Sequence, residues 1–399
     1  MFPPQTGLVS ALLQYTKDNA SPEIFRLWAA IQGIGAAGER RVWTEVGDSH
    51  LYPNLYVWLV GPPGVGKTMA INPITRFLRK SKACFIAPND MSKAGLLDAL
   101  TGCGKETVID EKLIDYFYMT VHIAELSNFM PKYDGPLAGV LTDLWDCPDI
   151  NEESKRHGQG KTIPFPGLSM LVGTATGNLG AMVPNDAWNT GFMARVIMVY
   201  SADDVVPLDM FAKPPENTAL TTEIESTLKR VGKLKGRMEW SPQARAPMQA
   251  LRENQREGGP THIRLTNYTT RRWFHVAKLS MISALSNERM EVEESDFHTA
   301  MSWLLPTEGL MPEIFRTMIS HEDGAILEEL RQQVVSRYRA TNKTPVDVQD
   351  LYVFLSKTVA AYRAPALLDM AVNADYIRRV AGTSGSSAQY VPAPRSTSC

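Results

Sequence analysis

The amino-acid sequence predicts an α/β fold built around a parallel sheet. Short apolar runs rich in aromatic and β-branched residues recur through the first half of the chain, as in strands buried on both faces. Segments with apolar residues at helical spacing separate these runs. A glycine-rich stretch follows the first run directly, and helical residues follow that stretch, so this part of the chain reads as strand, turn and helix.

Four buried strands are predicted, over residues 54–60 (NLYVWLV), 120–124, 168–173 and 194–200 (ARVIMVY). Residues 69–80 are predicted as the helix after the first strand. Because helical segments connect the strands, we expect them to run parallel in one sheet.

Five regions are expected along the chain. They are an N-terminal helical segment over 1–50, an α/β core over 51–205, a linker and helical lid over 206–310, a C-terminal helical or winged-helix domain over 320–382, and a flexible tail over 383–399. The C-terminal domain is predicted from three helical segments, near 326–334, 348–359 and 365–380. A winged helix would bind DNA or a protein partner, and a purely structural helical cap is the alternative.

The bulk composition excludes several classes of protein. The net charge of the 399 residues is -2, so any nucleic-acid contact has to come from local patches. Four scattered cysteines have no metal-ligand spacing. No apolar run is long enough to span a membrane, and no signal peptide is evident. We expect a cytoplasmic protein, in a bacterium or a phage-infected host.

The glycine-rich stretch Gly61–Thr68 (GPPGVGKT) fits the phosphate-loop pattern G-x-x-x-x-G-K-[ST]. Its glycines let backbone N–H groups face phosphates, Lys67 would reach the β and γ phosphates, and the Thr68 hydroxyl would bind Mg²⁺. ATP and Mg²⁺ are therefore the expected cofactors. The expected nucleotide contacts are Gly61, Pro62, Pro63, Gly64, Val65, Gly66, Lys67, Thr68 and Met69.

Two further strand ends carry candidate catalytic residues. The second strand ends in Glu125 (VHIAE), whose carboxylate would polarise the attacking water, although Ala124 stands where an aspartate is usual. The third strand is followed by Thr174 and Thr176, either of which could contact the γ-phosphate, with Asn178 behind them. The alternatives are a strand-end carboxylate without a role and residues that only cap the strand.

Arg195 lies at the start of the fourth predicted strand, where the stretch 191–195 (GFMAR) leads into it. An arginine at this place could stabilise transition-state charge as an arginine finger, supplied to a neighbouring subunit. The alternative is a structural salt bridge.

The order of these parts resembles the AAA+ superfamily, a P-loop NTPase core with a parallel sheet and a helical lid. Residues 52–68 and 190–201 resemble phage and prophage ATPases, and more distantly the chain resembles replicative helicases of the minichromosome-maintenance type. Those helicases carry S-R-F where this chain has Ala194-Arg195-Val196. Val292 and Asp296 match the end of an AAA+ lid, and the resemblance makes Arg271 or Arg272 a γ-phosphate contact. Solvent-facing arginines are the alternative.

The insertion over 151–165 lies where helicase-like AAA+ proteins carry a hairpin that projects into a central pore. The resemblance implies DNA contacts from Lys155, Arg156, His157 and Lys161. Because two glutamates offset part of this charge, an ordinary polar loop is the alternative. A second basic run, over 229–237, is interpreted as a solvated face rather than a DNA patch.

These expectations describe a homo-oligomeric ring, a hexamer, that couples ATP hydrolysis to translocation on DNA or its unwinding in phage-type replication. Single-stranded DNA and other replication proteins are the expected partners. One alternative is an ATP-switched DNA-binding or helicase-loader protein without unwinding activity. Another is a protein remodeller, which the basic insertion with no aromatic residue before Phe165 disfavours.

Overall fold

The structure is a computed structural model of the whole chain. It describes residues 3–88, 92–109, 112–130, 132–153, 161–184, 187–203, 218–255, 257–341, 343–373, 376–380 and 388–393. The chain divides into two compact units, Met1–Phe315 and Arg316–Cys399, and the division falls inside a long helix.

Helices and strands alternate through much of the described chain. The helices are α1 (Gly7–Tyr15), α2 (Glu23–Gly38), α3 (Lys67–Ser81), α4 (Lys93–Thr101), α5 (Leu126–Phe129), α6 (Gly135–Asp146), α7 (Thr176–Met182), α8 (Thr218–Val231), α9 (Pro242–Glu253), α10 (Thr266–Ser286), α11 (Glu294–Ala340), α12 (Val348–Leu355) and α13 (Ala364–Asn373). The strands are β1 (Val42–Val46), β2 (Ser49–Leu51), β3 (Tyr56–Val60), β4 (Phe85–Ile86), β5 (Gly104–Ile109), β6 (Lys112–Ile123), β7 (Ile150–Glu153), β8 (Lys161–Pro164), β9 (Pro166–Thr174), β10 (Val196–Tyr200), β11 (Gly236–Arg237), β12 (Glu239–Trp240), β13 (Glu291–Val292), β14 (Val346–Asp347), β15 (Ile377–Val380) and β16 (Gln389–Pro392).

The central sheet of the first unit has the order β10-β3-β9-β6-β4, and these strands are all parallel. β5 adds an antiparallel pairing to the first half of β6. The predicted α/β class and the four predicted strands, which correspond to β3, β6, β9 and β10, are confirmed. β9 is buried along its whole length, which explains its continuous apolar sequence.

Helix α2 is almost wholly buried, and two of its glycines allow close contacts. A Cβ atom at Gly33 would lie 2.2 Å from the side chain of Ile74 in α3. One at Gly35 would lie 2.4 Å from the carbonyl oxygen of Pro53. Glycine inside a helix costs about 1 kcal/mol relative to alanine, and here it brings α2 against α3 and the chain before β3.

The N-terminal region is not helical throughout, contrary to the prediction over 1–50. Residues after α2 form β1 and β2, and β1 also pairs with β11. The stretch Val42-Trp43-Thr44 is β-branched and aromatic, which favours a strand once a partner is present. The N-terminal helices belong to the first unit, where the Ser286 hydroxyl accepts a hydrogen bond from the Val9 N–H at 3.0 Å.

The second unit contains α12, α13 and a three-stranded antiparallel sheet of order β14-β16-β15. The third predicted helix ends earlier than expected, because residues 377–380 form β15. The predicted flexible tail is also wrong in part, since Gln389–Pro392 form β16 and Tyr390 is buried. Within the described chain, no helix has both the length and the apolar composition that a membrane span requires.

Candidate functional site

The predicted phosphate loop connects β3 to α3. Gly64 and Gly66 have φ values of +84° and +88°, in the left-handed region that favours glycine. A Cβ atom at Gly66 would lie 2.1 Å from the carbonyl oxygen of Ala20, so this position has no room for a side chain. The N–H groups of Gly64 and Gly66 have no acceptor among the described residues. The loop thus leaves two backbone donors that could bind an anion.

Lys67 is the first residue of α3, and its side chain lies over the loop. Its ammonium group donates to the carbonyl oxygens of Gly61 and Pro62, both at 2.8 Å. Only 7% of the residue is exposed. Burial lowers the pKa of Lys67, and the charge of Glu125 acts in the opposite direction.

The strand order brings the ends of three strands to one edge of the sheet. The N–H of Gly61 donates to the carbonyl oxygen of Thr174 at 3.2 Å. A Cβ atom at Gly173 would lie 2.4 Å from the carbonyl oxygen of Ala124 and 3.4 Å from Cβ of Lys67. The residues around Lys67, Thr174 and Glu125, predicted separately, are therefore neighbours.

The polar residues after β9 differ in accessibility. Thr174 and Thr176 are both buried. Asn178 is exposed in the first half of α7, and its amide donates to Oε1 of Glu125 at 3.3 Å. The sequence predicts Asn178 behind the threonines, whereas the structure places it against the candidate catalytic carboxylate.

Arg195 lies at the opposite edge of the sheet from the phosphate loop. Val196 pairs with Tyr56 and Tyr200 with Val60, so about 13 Å of strand separates Arg195 from the loop of its own chain. Its side chain is 5% exposed and forms an ion pair with Asp146, the last residue of α6. A guanidinium nitrogen also donates to the carbonyl oxygen of Gly191 at 2.8 Å. This is the salt bridge of the structural alternative, and the trans role stays a prediction.

Two more basic side chains from α10 lie close to this ion pair. A guanidinium nitrogen of Arg271 is 3.8 Å from Asp146, and burial together with Arg195 lowers the pKa of Arg271. The buried Lys278 donates to Oδ1 of Asn54 at 2.7 Å. Burial lowers the pKa of Lys278 to about 7. Asp146 thus has more positive charge around it than it neutralises.

Arg272 has a different environment from its neighbour. Its Nε donates to both carboxylate oxygens of Glu308 in α11, at 2.8 and 2.9 Å, and both side chains are 3% exposed. The hydroxyl of Tyr268 donates to the same carboxylate at 3.0 Å. Of the two γ-phosphate candidates, Arg271 is the one that solvent reaches.

The insertion after α6 contains the expected hairpin ladder. β7 and β8 pair antiparallel, from Ile150 with Pro164 to Glu153 with Lys161. Lys155, Arg156 and His157 lie outside the described residues, so their proposed DNA contacts remain predictions.

A buried polar network below the loop is not predicted by the sequence. His122 in β6 is 2.8 Å from the hydroxyl of Thr75 in α3, and its Nε2 donates to Oε1 of Gln32 in α2 at 2.9 Å. The Gln32 amide donates to Thr120 and Ser169. Burial lowers the pKa of His122 to about 3, which keeps the ring neutral. A histidine within an apolar strand is the signal that could have indicated it.

Comparison with known proteins adds nothing to this geometry. No protein-family model matches the chain, and no curated protein matches its sequence. The class of protein has to be inferred from the site residues.

Proposed function

We propose that this protein is an ATP-hydrolysing P-loop enzyme of the AAA+ type. The observation that carries the proposal is the adjacency, at one sheet edge, of a phosphate loop, a half-buried Glu125 and the polar end of β9. Parallel α/β sheets bind ligands outside the carboxyl ends of their strands. Strand–loop–helix context is also what separates a phosphate loop from a chance glycine-rich turn.

The loop residues have the chemistry that a triphosphate needs. In the proposed complex, phosphate oxygens accept from the N–H groups of Gly64 and Gly66 and replace the loop carbonyls as acceptors for Lys67. The start of α3 adds the positive end of its helix dipole. A bound triphosphate restores charge stabilisation to the partly desolvated ammonium of Lys67.

Magnesium fits this site as a partner of the nucleotide. Among the described residues there is no cluster of three His, Cys, Asp or Glu side chains able to hold a metal. The hydroxyl of the exposed Thr68 is the proposed protein ligand, and Mg²⁺ commonly completes such a site with phosphate oxygens and water. Bound there, it would neutralise charge on the phosphates.

Glu125 is the proposed group that orients the attacking water. Its contact with the Asn178 amide occupies one carboxylate oxygen and leaves the other for water. Thr174 or Thr176, at the adjacent end of β9 and the start of α7, is the proposed contact to the γ-phosphate. Arg195 cannot reach the loop of its own chain, so a catalytic role requires a neighbouring subunit and release from Asp146.

The ATPase proposal is tested with two variants. Lys67→Ala should lose ATP binding and hydrolysis, whereas Glu125→Gln should bind ATP and turn it over at least about 100-fold more slowly. Phosphate release and fluorescent-nucleotide binding measure the two properties. Arg230→Ala, on the surface of α8, is the control. Parental hydrolysis by Glu125→Gln would show that the water-orienting residue has been misassigned.

A ring in which Arg195 acts across the interface is the second part of the proposal. Arg195→Ala should bind ATP nearly normally and hydrolyse it slowly. Mixing it with Lys67→Ala subunits should restore some activity, since some interfaces then contain one intact site. Well-mixed oligomers without recovery would argue against a trans finger.

DNA translocation is the proposed use of the hydrolysis. Replacing Lys155, Arg156 and Lys161 together by alanine should reduce the log–log salt slope of single-strand binding by about 2. Basal ATPase should survive, and its stimulation by DNA should be lost. An unchanged affinity and slope would favour the loader or remodeller alternative, and a forked-DNA unwinding assay would separate helicase from loader.

A further inference from the structure

A cavity of about 530 Å³ lies in the first unit, away from the phosphate loop. It is bounded by β1, β11, β12, α9 and α10, and its lining combines two tryptophans with three arginines and two glutamates. Its volume falls within the range of small-molecule sites, about 300–1,000 Å³.

One of the tryptophans is held in a fixed orientation. The indole N–H of Trp240 donates to the hydroxyl of Thr44 at 3.0 Å, and that hydroxyl donates to the carbonyl oxygen of Met238 at 3.0 Å. Thr44 is buried, so its two hydrogen bonds tie the half-buried indole to β1. Holding the ring in advance lowers the entropy cost of placing a ligand against it.

The two tryptophans differ in what covers them. Trp273 stacks on Phe274 with ring centroids 3.6 Å apart, and the guanidinium of Arg252 lies 4.9 Å from its ring. In the part of the chain that the structure describes, no aromatic ring or cation lies over Trp240. Trp240 is therefore the indole available to a flat ligand.

The rim of the cavity offers both donors and acceptors. Arg237 pairs with Glu45 at 2.8 Å and with Glu239 at 3.0 Å, and Arg245 lies 3.7 Å from Glu239. All four side chains are 42–63% exposed, so giving up these surface ion pairs for hydrogen bonds to a ligand costs little free energy. Arg252 adds a cation without a carboxylate partner among the described residues.

We propose that this cavity binds a nucleobase, stacked on Trp240, with its edge hydrogen-bonded by the rim. A bare anion would be repelled by the carboxylates of Glu45 and Glu239. An apolar ligand would remove water from the charged side chains of the rim without replacing its hydrogen bonds. A nucleobase has a flat face for the indole and an edge with donors and acceptors. Arg252 suits the attached phosphate. The nucleobase can belong to a free nucleotide or to a single strand.

Photo-crosslinking tests the position of the base. The full-length protein with Lys67→Ala, which disables the phosphate loop, is irradiated with single-stranded oligonucleotides containing 5-iodouracil. The crosslinked peptide is expected to contain Trp240, and crosslinks confined to other peptides would overturn the proposal. Because the phosphate loop is disabled, the result does not depend on the proposed ATPase activity.

Affinity measurements test the stacking. In the same background, Trp240→Ala should weaken binding of labelled oligonucleotide about 5- to 150-fold, the range that removal of one stacking side chain produces. Trp240→Phe should retain most of the affinity. Equal binding by Trp240→Ala and its parent would refute the assignment.

Arg252→Ala provides a second test of the site, which is needed if Trp240→Ala fails to fold. Arg252 is exposed on α9, and its loss should weaken binding, whereas Arg230→Ala, outside the cavity, should not. Equal affinities for these two variants would count against the site. Competition by uridine monophosphate at the oligonucleotide site identifies a free nucleotide as a ligand; competition only by unlabelled strands identifies the polynucleotide.

Discussion

The buried ion pair between Arg272 and Glu308 yields the most direct stability prediction. In Glu308→Ala the guanidinium of Arg272 stays buried without its carboxylate, and the Tyr268 hydroxyl loses its acceptor. Breaking a buried pair on one side costs about 3–5 kcal/mol. We expect the free energy of unfolding, measured by urea titration with circular dichroism, to fall by that amount. Glu294→Ala, an exposed acid on the same helix, should cost less than about 1 kcal/mol.

Restoring the stability lost in Glu308→Ala by further substitutions distinguishes a structural role of Arg272 from a catalytic one. Replacing Tyr268, Arg272 and Glu308 together by Phe, Met and Leu should recover most of the stability, because no buried charge or hydroxyl is left unpaired. If the rescued protein hydrolyses ATP at the parental rate, Arg272 is structural and Arg271 remains the γ-phosphate candidate. A Glu308→Ala variant as stable as the Glu294→Ala control would refute the reasoning.

Three further predictions follow from individual contacts. Gly64→Ala should cost about 1–2 kcal/mol from backbone conformation alone, and Gly66→Ala more, because its Cβ would also meet the Ala20 carbonyl; thermal unfolding compares them. Asp146→Asn should destabilise the protein by about 1–3 kcal/mol in urea titration, since the buried guanidinium of Arg195 loses its carboxylate. Lys278 has a folded-state pKa of about 7, so relative to Lys278→Met the parent should gain up to about 1.4 kcal/mol per pH unit between pH 7.5 and 9.5.

The sign of the Lys278 effect follows from proton binding. Burial lowers the pKa of the folded ammonium, while the unfolded ammonium keeps its proton up to a pKa of about 10.4. Between these values the unfolded chain holds more protons, so stability rises with pH. The gain is lost as the pH falls towards 7. A stability difference between parent and Lys278→Met that does not change with pH would contradict this assignment.

The buried strands and the loop site are predictable from the sequence because their signals are local. An apolar run marks β3 or β9 wherever its partners lie, and parallel pairing then brings the residues after each run to one edge. β4 has two residues, and β5 has the partly polar sequence GKETVI, so neither carries that signal. The predicted helix over 1–50 is wrong over β1, which forms a local hairpin with β2 and a second pairing with β11, distant along the chain.

The partners of the charged residues are not predictable in the same way. Arg195 finds its carboxylate 49 residues earlier in the sequence, and Arg272 finds its own 36 residues later. Periodicity places a charged residue on a helix or at a strand end, but it says nothing about which opposite charge packs against it. Accordingly, the sequence leaves Arg271 and Arg272 equivalent, and the structure distinguishes them by exposure.

The polar network of Gln32, Thr75 and His122 has a consequence for how sequences related to this one can vary. Each member donates to or accepts from another, and the three lie on α2, α3 and β6. An apolar residue in place of His122 alone would leave the buried Oε1 of Gln32 without a donor, a cost of about 1–3 kcal/mol, whereas the Thr75 hydroxyl keeps its bond to the carbonyl oxygen of Ile71. Changing Gln32 and His122 together would avoid that cost. We therefore expect positions 32 and 122 to covary, and this covariation to mark relatives whose surface residues have diverged.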